Sequence, residues 1–322
     1  MNASMNAAQL TDAFAATESI TRSQARNFYY GIRLLPRAKR TALCAVYALA
    51  RRIDDIGDGD IANGDVGDID GNGDIDGNGE LVPAERKLQQ LTELSAQLDS
   101  IDRAAESGDP VLVAVAEVSR HFPIPLGAFQ ELIQGVQLDV RGARYETFED
   151  LTQYCRYVAG SIGRLCLGVF GSQATDPAAP DYAAAPDYAD ALGIGLQQTN
   201  ILRDIREDLL AGRVYLPAED LDRFGVRLRL ADDGRLVDED GRLSELIRFS
   251  AKRAGNWYAE GLKLLPLLDW RSRSSCAAMA GIYRQLLGRI AADPALVFGG
   301  RLSLSGTDKG RIAVRALMGG PA

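Results

Sequence analysis

The chain has 322 residues, of which 46% are hydrophobic and 25% charged, so it can bury a sizeable core as one large domain or two ordinary ones. Its 44 acidic residues outnumber its 36 basic ones, and the net charge of −8 argues against nucleic acid as the main partner. No apolar run approaches the roughly 18 residues of a membrane-spanning helix. Residues 1–21 lack the basic start and apolar centre of a signal peptide, so we expect a cytoplasmic protein.

Apolar residues recur at helical spacing through most of the chain, whereas the alternation typical of strands is scarce. This period predicts helices over residues 40–56, 85–98, 111–120, 126–138, 151–170, 188–210, 243–265 and 274–291. The sequence therefore predicts an all-α fold of roughly eight to ten helices in a single domain. We expect the division to be a flexible N-terminus (1–21), the domain (22–317) and a short tail (318–322).

Three segments interrupt the helical pattern. Residues 59–82 are rich in Gly, Asp and Asn, which predicts a solvated, mobile acidic insertion. Part of this insertion matches the calcium loop of an EF-hand, but no helix leads into it and Pro83 follows, so we expect no specific calcium site. Residues 176–186, which contain one Pro-Asp-Tyr-Ala at 180 and the start of a second at 186, predict a loop, and residues 230–241 predict a surface excursion or short hairpin.

Several chemistries are excluded by residue counts and missing motifs. The chain has one histidine, His121, which excludes His-rich zinc sites and the Glu-x-x-His pairs of di-iron bundles. Neither the nucleophile motif Gly-x-Ser-x-Gly nor a P-loop is present, and we expect His121 to be structural or on the surface. The four cysteines form no Cys-x-x-Cys pair and lie mostly in apolar helical surroundings, which is typical of reduced thiols in a core.

A first acidic cluster, residues 51–58, lies at the end of the helix predicted from residue 40. Asp54 and Asp58 are four residues apart, so on a helix their carboxylates share one face. Tyr47 and Arg51 extend this polar stripe towards the N-terminus. Like charges at this spacing repel each other, and burying them is costly without a counter-ion.

A second acidic cluster, residues 197–208, repeats the pattern. Asn200, Asp204 and Asp208 succeed one another at intervals of four, and Gln197 precedes them on the same helix. Either cluster alone is also typical of a solvated helix end. Together, and with arginines beside both, they favour a site that binds a diphosphate through Mg²⁺, which prefers carboxylate and phosphate oxygens.

Several ordered segments of the chain resemble the squalene/phytoene synthase family, the head-to-head isoprenyl diphosphate synthases. They are residues 27–36 (NFYYGIRLLP), 47–58 (YALARRIDDIGD), 154–163 (YCRYVAGSIG), 197–217 and 298–305. The resemblance runs over about residues 22–317. The chain departs from the family pattern at residues 25–27, where Ala-Arg-Asn stands in place of a serine-rich lead, and in the acidic insertion directly after Asp58.

The resemblance implies an isoprenoid synthase-type helical bundle with a central cavity, prenyl diphosphate substrates and roughly two to three Mg²⁺ ions. The implied metal ligands are Asp54, Asp58, Asn200, Asp204 and Asp208, with Asp55 and Glu207 as auxiliary ligands. The candidate catalytic residues are Tyr47, Arg51, Tyr154, Arg203 and Tyr215. The candidate substrate-binding residues are Phe28, Tyr47, Arg51, Val158, Ala159, Gln197, Asn200, Arg203, Arg213, Tyr283 and Arg301. We further expect Val158, Ala159, Leu165 and Leu196 to line an apolar cavity that keeps water from a carbocation.

Three products are open within this family. The segments around residues 157–171 and 205–217 look most like bacterial presqualene diphosphate synthases of hopanoid pathways, so we expect two farnesyl diphosphates to be joined to presqualene diphosphate. The alternatives are phytoene or dehydrosqualene synthesis, NADPH-dependent squalene synthesis, and a scaffold that has lost catalysis. No Gly-x-Gly-x-x-Gly motif is present, so NADPH is not expected. Apolar substrates and products are compatible with peripheral membrane contact, and downstream enzymes of the same pathway are expected partners.

Overall fold

The computed structural model describes residues 6–25, 28–59, 82–172 and 180–319, and within these ranges it is built from helices without a β-strand. The α-helices are α1 (Ala7–Gln24), α2 (Phe28–Ile32), α3 (Arg37–Asp58), α4 (Ala84–Asp99), α5 (Ala104–Ser107), α6 (Pro110–His121), α7 (Gly127–Val140), α8 (Phe148–Cys155), α9 (Ser161–Phe170), α10 (Pro180–Arg203), α11 (Ile205–Leu210), α12 (Ala218–Phe224), α13 (Arg242–Gly261), α14 (Trp270–Ala292) and α15 (Gly306–Leu317). The prediction of an all-α single-domain fold is confirmed, although the short helices raise the number above the expected eight to ten. No described helix is long and apolar enough to cross a membrane.

Helices α3 and α10 form the centre of the bundle. The first packs against α1, α6 and α7, and the second against α9, α13 and α14. Alanines at 42, 45 and 48 of α3 are fully or almost fully buried, and their small side chains let neighbouring helices approach closely. Both acidic clusters therefore begin on helices that the core holds in fixed positions.

The N-terminal segment is more ordered than expected. Residues 1–21 were predicted to be flexible, but the chain is helical from Ala7, and α1 buries Ala13, Thr17 and Thr21. The Thr21 hydroxyl donates to the carbonyl oxygen of Thr17 at 2.8 Å and lies 3.3 Å from that of Cys44. The buried face of α1 is made of small and hydroxyl side chains, so its hydropathy pattern is weak.

The predicted loops have different outcomes. Residues 60–81, which contain the acidic insertion and its EF-hand-like pattern, lie outside the described residues. The loop predicted over residues 176–186 is wrong in its second half, because α10 begins at Pro180; proline fits the first helical position, where no N–H is needed. The hairpin predicted within residues 230–241 is confirmed by an antiparallel bridge between Leu230 and Leu236.

Two long predicted helices are interrupted where the motifs lie. The predicted helix 151–170 widens into a π-helical turn over Arg156–Gly160, between α8 and α9. The predicted helix 188–210 breaks at Asp204, whose φ of −106° and ψ of 12° separate α10 from α11. Such local irregularities in helices are frequent at functional sites.

The start of α14 gives a prediction about acid stability. Asp269 accepts hydrogen bonds from the backbone N–H groups of Arg271 and Ser272, and the Lys39 ammonium lies 2.7 Å from its Oδ2. Burial alone would raise the pKa of Asp269, but these bonds lower it to about 2. The stability that the ionised carboxylate contributes is therefore present above pH 4 and is lost as the pH falls towards 2.

We expect Asp269→Asn to remove this dependence. Asparagine still caps the helix but cannot form an ion pair with Lys39. At pH 6 the free energy of unfolding of the variant should therefore be about 1–2 kcal/mol lower than that of the wild type, and its melting temperature should be lower too. The difference should shrink towards pH 2, which thermal melts across this range would measure. An unchanged difference at pH 2 would contradict the assignment of the ion pair.

Candidate active site

Side chains from α3, α7 and the segment after α11 surround a cavity of about 190 Å³. Its lining residues are Asp54, Gly57, Asp58, Val136, Asp139, Arg213 and Tyr215. The cavity is smaller than the roughly 300–1,000 Å³ typical of small-molecule sites and is mostly polar at its centre. Three carboxylates and one guanidinium line it, so it is suited to cations and a compact polar group rather than to an apolar chain.

Arg213 joins the two acidic clusters across this cavity. Its Nη1 lies 3.7 Å from Oδ1 of Asp58, and its Nε lies 3.8 Å from Oδ1 of Asp208. The backbone N–H of Arg213 also donates to the carbonyl oxygen of Asp208 at 2.7 Å, which fixes the turn that follows α11. Carboxylates from segments far apart in the sequence thus face one guanidinium.

The central acidic residue of the site, Asp139 at the end of α7, was missed by the sequence analysis. Tyr154 donates its phenol O–H to Oδ2 of Asp139 at 2.8 Å, and Tyr215 donates to Oδ1 at 2.9 Å. Tyr145 packs against both phenol rings, with centroids 5.1 and 6.1 Å away. The only sequence signal was a single acid at the end of an apolar helix, which is too common to single out.

Burial around Asp139 controls how this group titrates. It raises the pKa of Asp139 to about 6, against the lowering effect of the two phenol hydrogen bonds. It also raises the pKa of Tyr154 and of Tyr215 well above the usual value, and the negative charge of Asp139 adds to this effect. At neutral pH both phenols therefore keep their protons and act as hydrogen-bond donors.

One carboxyl in each acidic cluster also binds its proton more tightly than usual. The protein atoms around Asp54, together with the charge of Asp58, raise the pKa of Asp54 to about 7, although water still reaches its carboxylate through the open cavity. Burial and the charges of Asp204 and Asp139 raise the pKa of Asp208 to about 7, against the lowering effect of Arg213. This is the electrostatic state of a site with too few positive charges.

Asp204 is placed differently from the other carboxylates of the second cluster. Arg203, which is buried, donates from Nε to Oδ1 of Asp204 at 2.7 Å. Arg301 reaches the same carboxylate from the C-terminal segment, with Nε 3.0 Å from Oδ1 and Nη2 3.1 Å from Oδ2. Both oxygens are thus shared between two guanidiniums, and Tyr283 on α14 lies close to Arg203 beside them.

The remaining polar residues of α3 form a second group next to the cavity. Arg51 pairs with Asp55 at 2.6 Å, one turn further along α3. Burial raises the pKa of Tyr47 to about 12, and Tyr283 lies close enough to contribute. The side chain of Phe28, another expected substrate contact, lies outside the described part of the chain.

The expected apolar lining is not found at this cavity. Val158 and Ala159 lie on the π-helical turn, and the backbone there faces α7 and α10 instead. Leu165 is fully buried in the core and Leu196 is partly buried against it, and neither lines the described cavity. Val158 instead packs against Gly135 of α7, where an added Cβ would lie 2.4 Å from the Val158 side chain.

Oxygen atoms suited to a divalent cation are present, but the described residues do not form a ready-made metal site. No three His, Cys, Asp or Glu side chains of the described ranges are close enough to hold an ion. However, Oδ1 of Asn200 and Oε2 of Glu207 are buried without a hydrogen-bond partner among the described atoms, while Asn200 Nδ2 donates to Gln197 Oε1 at 3.2 Å. Unsatisfied oxygens beside carboxylates fit the preference of Mg²⁺.

The other sequence predictions about side chains have clear outcomes. His121 is exposed and lies 3.0 Å from Glu117, away from the site, as expected of a surface histidine. All four cysteines are free, and three of them, Cys44, Cys155 and Cys276, are buried. Burial raises the pKa of these three thiols, so they are poor nucleophiles.

The chain is similar to known proteins along most of its length. Residues 21–308 match the family model described as squalene/phytoene synthase. The chain is 51% identical over 309 residues to a phytoene synthase of Mycobacterium tuberculosis. This alignment covers 96% of this chain and 92% of that protein. The chain is 34% identical over 289 residues to a phytoene synthase of Arthrospira platensis, with 87% of this chain and 84% of that protein covered.

Solved structures agree with the sequence matches. A crystal structure of a dehydrosqualene synthase with a bound ligand superposes with a TM-score of 0.73 at 29% identity and covers 95% of this chain and 96% of its own. The squalene synthase HpnC from Alicyclobacillus acidocaldarius has a TM-score of 0.68 at 26% identity, with 89% and 96% covered. The family match thus makes the chain a prenyltransferase, of a family that acts on prenyl diphosphates. The chain belongs to the squalene/phytoene synthase family, which uses divalent metal to bind diphosphate.

Proposed function

We propose that this protein joins two geranylgeranyl diphosphates head to head to form phytoene, in a reaction that requires Mg²⁺. The observation that carries the proposal is the 51% identity to a phytoene synthase over 96% of this chain. This favours phytoene over presqualene diphosphate, the product we expected from sequence motifs. Presqualene diphosphate stays as the second candidate, because the squalene synthase HpnC matches 89% of this chain in structure.

The residues that would hold the metal are the carboxylates on both sides of Arg213. We assign Asp54, Asp58 and Asp208 to this role, with the unpartnered oxygens of Asn200 and Glu207 completing the set. A divalent cation bound there would supply the positive charge that neutralises a diphosphate leaving group. Asp55 and Asp204 are assigned auxiliary roles, since each carboxylate already pairs with arginine.

The arginines of the site would bind the diphosphate itself. Arg213 lies at the cavity between the two acidic clusters, and Arg203 and Arg301 lie together at Asp204. Guanidinium groups bind phosphate oxygens through paired hydrogen bonds, so these residues would hold the leaving group in place as its bond to carbon breaks. Arg51, Gln197, Tyr47 and Tyr283 are assigned to positioning around them.

The chemistry starts when one substrate loses diphosphate and leaves an allylic cation. The double bond of the second substrate attacks this cation, and loss of a proton to the released diphosphate closes a cyclopropane ring. The second diphosphate then leaves, the cyclopropyl cation rearranges and opens, and loss of a second proton forms the central double bond of phytoene. The phenols of Tyr154 and Tyr215 keep their own protons, so we assign them to stabilise charge through their hydrogen bonds to Asp139 rather than to accept either proton. Val158 and Ala159 are assigned to the apolar path of the chains.

The product decides between the candidates. The purified protein is incubated with Mg²⁺ and either geranylgeranyl or farnesyl diphosphate, with and without NADPH, and the lipids are identified by mass spectrometry. We expect phytoene from geranylgeranyl diphosphate, independent of NADPH and abolished by EDTA. Presqualene diphosphate from farnesyl diphosphate, with no phytoene, would select the second candidate. If neither substrate released diphosphate, the result would instead support the hypothesis of a scaffold that has lost catalysis.

A further inference from the structure

Most of the exposed large apolar side chains of the described residues belong to two helices that pack against each other. The described residues include six large hydrophobic side chains that are exposed, and four of these belong to α14 and the C-terminal end of α15. They are Trp270, Val314, Leu317 and Met318, which are 59%, 54%, 43% and 76% exposed. We call the surface formed by these four and the neighbouring arginines Arg271, Arg273, Arg311 and Arg315 the α14–α15 face.

The packing of α15 explains why these side chains are together. The helix runs antiparallel to α14, since Arg289 pairs with Asp308 at 2.9 Å at one end and Ala316 packs against Ala277 and Ala278 at the other. The C-terminal end of α15 therefore points towards the N-terminal end of α14, where Trp270 is located. Residues 311, 314, 315 and 318 follow helical spacing and share one exposed side of α15, from which Arg315 also borders the cleft towards α14.

The α14–α15 face is basic although the chain has a net charge of −8. Its four arginines are exposed and make no ion pair with any described acidic side chain. The two nearby acids are already paired, Asp269 with Lys39 and Asp308 with Arg289. An anionic surface therefore meets uncompensated positive charge here.

A cleft within this face has the same mixed character. Between α14 and α15 lies a cavity of about 470 Å³ lined by Ala277, Gly281, Arg284, Gln285, Ile312, Arg315 and Ala316. Its lining combines two guanidinium groups with the apolar side chains of two alanines and an isoleucine. This arrangement fits a phosphate head group attached to an apolar chain.

We propose that the α14–α15 face docks on an anionic lipid bilayer, with the apolar side chains inserted between head groups and the arginines paired with lipid phosphates. Tryptophan and arginine are favoured at such interfaces, because each has an apolar part and a polar tip. A second copy of this chain is a poorer partner, since it would place these arginines against one another. The benefit to the enzyme rests on the proposed function, whose substrates and product are membrane lipids.

Vesicle binding tests this proposal without any substrate. The full-length protein is sedimented with vesicles of phosphatidylcholine mixed with phosphatidylglycerol, and with vesicles of phosphatidylcholine alone. We expect binding to the anionic vesicles only, and weaker binding at high salt. The double variant Arg311→Glu/Arg315→Glu should lower the partition coefficient by about 25-fold or more, since each basic side chain near an anionic surface contributes about fivefold.

A matched double variant separates the α14–α15 face from net charge. Arg86→Glu/Arg103→Glu makes the same charge change at exposed residues of another part of the surface, and it should bind within a few-fold of the wild type. Melting temperatures of both variants show whether the fold is intact. Turnover of detergent-dispersed substrate should be unchanged in both double variants. If the wild-type protein had no turnover at all, the proposed function would be refuted, but the vesicle measurements would still test the docking proposal.

Trp270 provides an independent readout, because the chain has only two tryptophans. In a Trp257→Phe background, its emission should shift to shorter wavelength when anionic vesicles are added and stay unshifted with neutral ones. The proposal is overturned by equal loss of binding in both double variants, or by an unshifted Trp270 on bound protein. It is also overturned if the wild type does not bind vesicles and sedimentation shows that it is a dimer, which the double variant Arg311→Glu/Arg315→Glu dissociates.

Discussion

Replacing Asp208 with asparagine is expected to lower turnover by about 100-fold or more and, without metal, to stabilise the fold at pH 8. Asp208 is mostly buried and near other carboxylates, which raises its pKa to about 7. The native state therefore holds a proton between pH 4 and 7 that the unfolded chain has already released. The stability contributed by this group is complete below pH 4 and is lost as the pH rises through 7.

Asparagine has nearly the same shape but cannot ionise, so the variant should lose this pH dependence along with the metal-binding charge. Thermal melts from pH 4 to 8 without metal, and again with Mg²⁺ at pH 8, would measure both effects. Mg²⁺ should raise the melting temperature of the wild type but not that of Asp208→Asn. Asp102→Asn, the same change at an exposed residue, is the matched control. Full turnover in Asp208→Asn would refute the metal-ligand assignment.

Replacing Gly193 with alanine is expected to destabilise the fold by about 2–3 kcal/mol, because it would overpack the contact between two backbones. A Cβ at Gly193 of α10 would lie 2.2 Å from the carbonyl oxygen of Ala159 and 2.8 Å from the backbone N of Gly160. Gly163 of α9 meets α10 in the same way, 2.3 Å from the carbonyl oxygen of Ala189. Neither contact can relax by rotating a side chain, so the π-helical turn would have to move.

Chemical denaturation of Gly193→Ala measures this effect, and Gly255→Ala and Gly288→Ala are its controls. A Cβ at either control position meets no atom within 4 Å, so alanine there should stabilise its helix by about 0.5–1 kcal/mol. If Gly193→Ala were as stable as the controls, the close contact between the backbones of α10 and the π-helical turn would not be what holds that turn in place. Reduced turnover at full stability would instead show that the turn positions Val158 and Ala159 for catalysis.

The position of most helices could be predicted from the sequence, and the exceptions have physical reasons. Helix α3 was expected over 40–56 and spans Arg37–Asp58, since its apolar period is strong. Helix α1 was missed because alanine and threonine fill its buried face. The break at Asp204 could not be predicted, because it depends on Arg203 and on Arg301, which arrives from the C-terminal segment.

The candidate site was predicted in part. The two acidic clusters were identified from spacing alone, and the structure places the Arg213 guanidinium within 4 Å of both Asp58 and Asp208. Asp139, which accepts from Tyr154 and Tyr215, was not identified, since a lone acid at a helix end has no pattern. The contact depends on α7, the π-helical turn and the segment after α11 meeting in space.

The sequence by itself determined that the chain is helical, which carboxylates share a helix face, and which family's motifs it contains. Only the tertiary structure decided that Asp139 links the tyrosines to the cavity, that Asp204 is held by two arginines, and that the α14–α15 face is apolar and basic. The reason is that the side-chain positions within one helix follow from its 3.6-residue turn. Contacts between helices depend instead on how their surfaces pack, and that is settled by many residues far apart in the chain.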